Sequence, residues 1–157
     1  MTRLFHKVSE KQLQKDGYSD LSVELPKRGT KFSAGYDFFC PLNIIIEPEE
    51  IVLIPTGIKV QMEADEVLQM YPRSSLGFKY GLMLLNTVGI VDSDYFDNIK
   101  NEGHIWVKYY NPSFERVHLK KGDAFCQGVF QKYLLCDDDN TIENGRERIG
   151  GLGSTSK

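Results

Sequence analysis

The sequence predicts an all-β protein, a jelly-roll-like antiparallel β-barrel or sandwich that carries a flexible Gly-rich C-terminal arm. Short apolar runs separated by turn residues recur along most of the chain. No helical pattern is long enough to organise a core, and residues 144–157 lose almost all apolar character.

The runs Asn43–Glu47, Ile51–Ile54 and Gly57–Met62 are punctuated by Pro48 and by Pro55-Thr56-Gly57. This is the rhythm of strands of four to six residues joined by turns. Val67–Tyr71, Leu82–Leu85, Ile105–Tyr110, Val117–Leu119 and Ala124–Tyr133 continue it, so at least seven strands are expected. Two short helical segments remain: Ser9–Asp16, with Ser9 as N-cap and Gln12 at the third helical position, and a turn after Ser74-Ser75. No self-similar period appears, which disfavours propellers and solenoids. Lys27-Arg28, Glu49-Glu50 and Lys120-Lys121 read as solvated turns.

A chain of 157 residues with 19 Lys+Arg against 22 Asp+Glu builds one domain, residues 1–143, followed by the arm, residues 144–157. Its near-neutral balance gives no electrostatic footprint for nucleic acid or a membrane surface. Cys40, Cys126 and Cys136 lack C-x-x-C spacing, and His6, His104 and His118 are scattered, so neither a disulfide framework nor a zinc site is indicated. The N-terminus lacks the apolar stretch of a signal peptide, which leaves a cytoplasmic location as the expectation. Cys126 lies in an apolar strand and reads as a core thiol.

Several segments could carry chemistry. Pro72-Arg73-Ser74-Ser75-Leu76-Gly77 follows a strand and offers a guanidinium fork, two hydroxyls and the free N–H groups of a helical turn. That set suits a phosphate, although a solvated turn uses the same residues. Asn86–Tyr95 reads as a hairpin in which Gly89 permits a strained backbone and close ligand approach, with Asp92 three residues before the ring of Tyr95. Such main-chain groups could read a planar base, Asp92 could serve as general base and Tyr95 as a wall for a sugar; a plain hairpin with turn-forming carboxylates is the alternative. Asp37 stands in an aromatic strand and needs a partner, or it caps a turn. Gln127 is polar in an apolar run, where a cross-strand hydrogen bond would satisfy it. The arm is either a frayed terminus or a lid whose bare N–H groups and hydroxyls close over phosphates beside Arg148.

Taken in order, Ala34–Phe38, Pro72–Gly77, Asn86–Tyr95, Gly122–Gln127 and Arg148–Thr155 resemble the five ordered motifs of the homotrimeric deoxyuridine triphosphatases (dUTPases). The resemblance spans about residues 30 to 156. It implies hydrolysis of dUTP to dUMP and pyrophosphate with Mg²⁺, which keeps uracil out of DNA and supplies dUMP for thymidylate synthesis. Asp92 would direct water at the α-phosphorus. Arg73, Ser74, Ser75 and Gln127 would hold phosphate oxygens, and Asp37 would reach Mg²⁺ through water. Asn86, Gly89, Ile90 and Val91 would read uracil, and Tyr95 would exclude a 2′-hydroxyl. Arg148, Gly153, Ser154 and Thr155 would bind phosphates from an arm that closes over a site on another subunit of the trimer.

Three departures from that pattern stand out. Leu152 replaces the usual stacking aromatic, leaving Phe96 or Trp106 as donors. Tyr95-Phe96-Asp97-Asn98, with a longer Ile99–Gly103 loop, replaces Tyr-x-Gly-Glu. Arg146 competes with Arg148 as the arm's arginine. The dCTP deaminases, which resemble dUTPases, have a catalytic Glu where this chain has Lys108 in Val107-Lys108-Tyr109-Tyr110-Asn111. A dUTP-dependent regulatory binding protein on the same scaffold is a second alternative.

Overall fold

The computed structural model describes residues 2–139 together with Arg148, Gly150 and Gly151. The chain runs through β1 (Leu4–Lys7), α1 (Glu10–Lys15), β2 (Lys27–Arg28), β3 (Tyr36–Phe39), β4 (Ile44–Ile46), β5 (Ile51–Pro55), β6 (Ile58–Gln61), β7 (Glu66–Pro72), α2 (Ser74–Tyr80), β8 (Met83–Leu84), β9 (Gly89–Asp92), a 3-10 turn (Ser93–Tyr95), β10 (Trp106–Tyr110), β11 (Val117–Leu119) and β12 (Ala124–Lys132). Every strand pairing among the described residues is antiparallel. The largest sheet has the order β2-β3-β12-β7-β9; β5-β10-β8, β11-β4 and β1-β6 form the others, in a jelly-roll-like β architecture.

Alternation along the strands explains why these segments pair. In β10, Val107 and Tyr109 point inward while Trp106, Lys108 and Tyr110 face out; in β11, Val117 and Leu119 are buried and His118 is exposed. Phe38, Ile46, Ile54, Val60, Leu68, Val107 and Phe125 bring all the sheets into one core. Tyr109 is fully buried and donates its hydroxyl to the Phe125 carbonyl at 2.7 Å, which meets the cost of burying that oxygen. Burial also pushes the Cys126 thiol well up and the Cys40 thiol up to about 11, so both are inert packing groups.

The sheet β5-β10-β8 differs on its outer face. Ile51, Leu53, Met83 and Leu85 are 50%, 44%, 52% and 43% exposed, beside Trp106 and Tyr110. A strand as uniformly apolar as Ile51–Pro55 calls for cover on both faces, and the core supplies only one.

Ser9 caps α1 as its sequence position suggests, accepting from the Gln12 N–H at 3.1 Å. Three expectations are corrected. Lys27-Arg28 forms the short edge strand β2 on β3, because Asp37 and Tyr36 lie opposite with unpaired backbone to offer. The Asn86–Tyr95 segment is no hairpin: β8 pairs with β10 and β9 with β7, so the turn between them crosses from one sheet to another. Gly89 is not strained either. Thr87 carries the left-handed backbone (φ 60°), and a Cβ on Gly89 would come within 3.0 Å of the Met70 Cβ, so the glycine serves the close approach of β9 to β7.

The N-terminal segment, which carries no motif, is built into the fold. β1 pairs with β6, and Phe5 packs against Tyr36, Phe38 and Phe130 with centroids 5.3–5.6 Å apart. Asp16, the C-cap of α1, meets fully buried His104: Oδ2 lies 2.7 Å from Nδ1, and the Gly57 N–H donates to Nε2 at 2.9 Å. Nε2 therefore accepts, Nδ1 carries the proton, and the ring is neutral. Burial lowers the His104 pKa below its ordinary 6.5 despite the raising influence of Asp16 and Glu102.

A group that binds its proton less readily when folded contributes stability that is complete above its unfolded value and declines as pH falls below it. The thermal midpoint should therefore drop on acidification from pH 7 towards 5. His104→Gln, whose amide can still accept from Gly57 and donate to Asp16, should flatten that part of the profile in melts followed by circular dichroism. An unchanged slope in the variant would rule His104 out as its source.

Candidate active site

The turn out of β8 and the start of β9 line a cavity of about 120 Å³. Asn86, Gly89, Ile90, Val91, Asp92 and Tyr95 all border it, so the structure does assemble the residues singled out for a base, a sugar and a proton transfer. Met70, Ile105, Trp106, Arg148 and Gly151 complete the lining. Phe96 points elsewhere, with its ring 5.5 Å from that of His6 and under the Lys59 ammonium. Of the two aromatic rings considered as replacements at Leu152, only Trp106 borders the cavity.

Tyr95 closes the 3-10 turn and is 8% exposed. Its hydroxyl donates to the His104 carbonyl at 2.8 Å and accepts from Asn101 Nδ2 at 2.7 Å. Burial raises its pKa, outweighing Asn101 and Arg148, and the phenol stays protonated. Asp92 precedes the same turn at its N-cap position, with no capping bond from its side chain, which is 48% exposed. Arg148 spans two carboxylates, donating from Nη2 to Asp92 Oδ2 at 2.5 Å and from Nε to Asp94 Oδ1 at 2.6 Å, with its guanidinium carbon 6.0 Å from the Tyr95 centroid. Gly151 lies flat on the Tyr95 ring, where any Cβ would collide with Cε2.

A second group forms where β3, β12 and β7 run side by side. Gln127 stands opposite Asp37 on one neighbour and Tyr71 on the other. Arg73 Nη1 donates to Asp37 Oδ2 at 2.9 Å, which answers why a carboxylate is tolerated at 16% side-chain exposure. Gln127 Nε2 donates to the Pro72 carbonyl at 3.2 Å. Ser74 and Ser75 are exposed at the start of α2, where first-turn N–H groups have no partner within the helix. Among the described residues no three His, Cys, Asp or Glu gather as a metal cluster. Asp37 is a single carboxylate with one oxygen held by Arg73, a donor set suited to a hard cation that keeps its waters and takes its other ligands from phosphates.

The expectation that Asp92 sits beside Arg73, Ser74, Ser75 and Gln127 is not met within one chain. Asp92 lies opposite Val67 near one end of β7, whereas Arg73 follows Pro72 at the other end. Six residues of extended chain separate those positions by about 20 Å, because a strand rises about 3.3 Å per residue. Gly153, Ser154 and Thr155, like Leu152 and Arg146, lie outside the described residues. Asn98, Asn101 and His104, which support Tyr95, carry no motif, and no local signal in the sequence marks them.

Comparison with known proteins bears on the family and the fold. The dUTPase family model matches residues 22–156. The deoxyuridine 5′-triphosphate nucleotidohydrolase of Lactococcus lactis subsp. lactis (strain IL1403) is 46% identical over 138 residues, spanning 88% of this chain and 91% of that protein. The crystal structure of dUTPase from Streptococcus mutans aligns with a TM-score of 0.70 at 39% identity, over 85% of this chain and 98% of that one. A mutant dUTPase of phage phi11 of S. aureus shares the fold at a TM-score of 0.68 and 18% identity, over 89% and 96%. With its cavity-lining turn and its Arg-Ser-Ser corner carried on the same β scaffold, the chain belongs to the dUTPase family.

Proposed function

We propose that this chain hydrolyses dUTP to dUMP and pyrophosphate in the cytoplasm, in sites completed between copies of a homotrimer. The observation that carries the reading is the division of one chain into two half-sites. A cleft lies along β9 with the Asp92 carboxylate towards the Glu66 end of β7, and a corner suited to an anion lies at the Pro72 end. Neither half suffices for a nucleoside triphosphate, whereas a neighbouring copy can set the second half against the first. The exposed apolar face of Ile51, Leu53, Met83 and Leu85 is a surface that such assembly would cover.

In this reading the main chain from Asn86 to Val91 pairs with the edge of uracil and leaves no space for a thymine methyl. Tyr95 lies against the sugar and excludes a 2′-hydroxyl. Asp92 orients a water and accepts its proton as the water oxygen bonds to the α-phosphorus and the bond to the β-phosphate side breaks, releasing pyrophosphate. Arg73, Ser74, Ser75 and Gln127 steady the phosphate oxygens. Arg148 is paired with Asp92 and Asp94 in this structure, and a triphosphate competes for that guanidinium, freeing the carboxylate for water. Residues 144–157, with Gly153, Ser154 and Thr155, then close over the phosphates. Mg²⁺, held mainly by the phosphates with Asp37 behind a water, would supply charge neutralisation; the phi11 structure is described as revealing coordination of a structural Mg(II) ion.

With Mg²⁺ present, pyrophosphate release is expected from dUTP in preference to UTP, dTTP and dCTP, without ammonia from dCTP. Asp92→Asn should lower kcat by about 10²- to 10⁴-fold, the usual worth of a positioned general base; equal turnover in the variant would remove Asp92 from that role. Sites shared between copies make a sharper demand. Asp92→Asn and Arg73→Ala, each inactive alone, should regain about a quarter of wild-type activity when co-expressed, as random assortment in a closed trimer leaves that share of sites intact. No recovery, or a fully active monomer by light scattering, would exclude shared sites. Trp106 is the single tryptophan and borders the cavity, so dUMP should change its emission whereas pyrophosphate alone should not.

A further inference from the structure

The loop that follows the 3-10 turn, residues 96–103, is bonded inward on Tyr95. Asn98, 6% exposed, donates from Nδ2 to the Tyr95 carbonyl at 2.8 Å and to Asn101 Oδ1 at 2.7 Å, and its Oδ1 accepts from the N–H groups of Lys100 and Asn101. Asn101 Oδ1 also accepts from the Gly103 N–H at 3.2 Å, which leaves Nδ2 aimed at the Tyr95 hydroxyl. With the hydroxyl proton committed to the His104 carbonyl, the phenol is held from both sides.

The loop itself is anchored to the N-terminal segment. Glu102 accepts from the Ser9 hydroxyl at 2.6 Å and the Ser9 N–H at 3.1 Å, Lys59 bridges Glu102 and Asp97, and the Lys15 ammonium donates to the Lys100 carbonyl. Asp97 and Glu102 both adopt left-handed backbone (φ 53° and 56°), a conformation kept where surrounding contacts enforce it.

We infer that Asn101 is a positioning residue that sets the selectivity of the site for a 2′-deoxy sugar over a ribose, by fixing the Tyr95 ring through its hydroxyl. This inference rests on the proposed function and adds to it a residue outside the cavity lining. Excluding one hydroxyl requires the ring to stay in van der Waals contact with the sugar, and a displacement of a few tenths of an ångström admits the larger nucleotide. The bond from Asn101 is one of two that resist that displacement, and α1, Ser9 and Lys15 support it from behind.

The test compares kcat/KM for dUTP and UTP in wild type, Asn101→Asp, Asn101→Ala, Tyr95→Phe and the Asn101→Asp/Tyr95→Phe pair. Asp keeps the acceptor for Asn98 and Gly103 but has no N–H for the phenol, so it separates positioning from loop integrity, with thermal midpoints as the check on folding. The preference for dUTP should fall about fivefold in Asn101→Asp, the worth of a typical net hydrogen bond, and chiefly through a lower KM for UTP. The double variant should be no less selective than Tyr95→Phe alone. An unchanged preference in Asn101→Asp, or full additivity with Tyr95→Phe, would overturn the inference. Wild type without dUTP turnover would instead overturn the hydrolase reading; the ratio of dUMP to UMP dissociation constants, read from Trp106 emission, then decides the role of Asn101 independently of catalysis.

Discussion

An extended strand cannot fold back on itself, and in this chain β7 is the rigid ruler against which both half-sites are set. β12 holds one of its edges and β9 the other, each in continuous antiparallel register. Gln127, and through β3 Asp37, are brought to the Pro72 end; Asp92 is brought near the Glu66 end. Side-chain rearrangement spans a few ångströms, far less than the distance between these groups, which is why the proposed function draws the two from different copies. In that proposal the uncovered apolar face of β5-β10-β8 and the separation of the half-sites have a common answer in assembly.

Charge pairing within the chain follows the same logic. Arg73 is paired with Asp37 and Arg148 with Asp92 and Asp94, so each arginine proposed to bind phosphate already rests on a carboxylate. Such pairs hold a guanidinium in place at little net gain when partly solvated, and a polyphosphate with several charges is a stronger competitor for it. A site built this way keeps its cations oriented without committing them. The aromatic ring is treated differently: Tyr95 is buried, doubly bonded and backed by α1, which suits the role proposed for it, to exclude by contact rather than attract by charge.

Much of the fold was legible. Strands such as Ile105–Tyr110 and Ala124–Tyr133 announce themselves as short apolar runs between turn residues, in β10 with the period-two alternation that burial on one face imposes, and Ser9 marks α1 because a short side-chain oxygen is needed to cap it. Lys27-Arg28 did not, since a two-residue edge strand has no room for a pattern and is defined only by the chain beside it. Asn86–Tyr95 carries the local marks of a hairpin, yet its one strand, β9, pairs with β7, and the strand before the turn, β8, pairs with β10. Among the site residues, Asp92, Tyr95, Arg73 and Gln127 stood out because polar or planar groups are costly or unusual where they occur. Asn98, Asn101 and His104 did not stand out, because a supporting hydrogen bond can be made by many residue types in a loop.

The amino-acid order by itself determined the β class, the approximate limits of most strands and the chemical types available for a nucleotide: these follow from side-chain burial and backbone preference acting over a few neighbours. Only the tertiary structure decided which of those groups share a cavity, that Asp92 and Arg73 stand apart, and that a motif-free N-terminal helix braces the tyrosine wall. Those outcomes depend on strand register and sheet order, set by the packing of the whole core, and no local stretch of sequence carries that information.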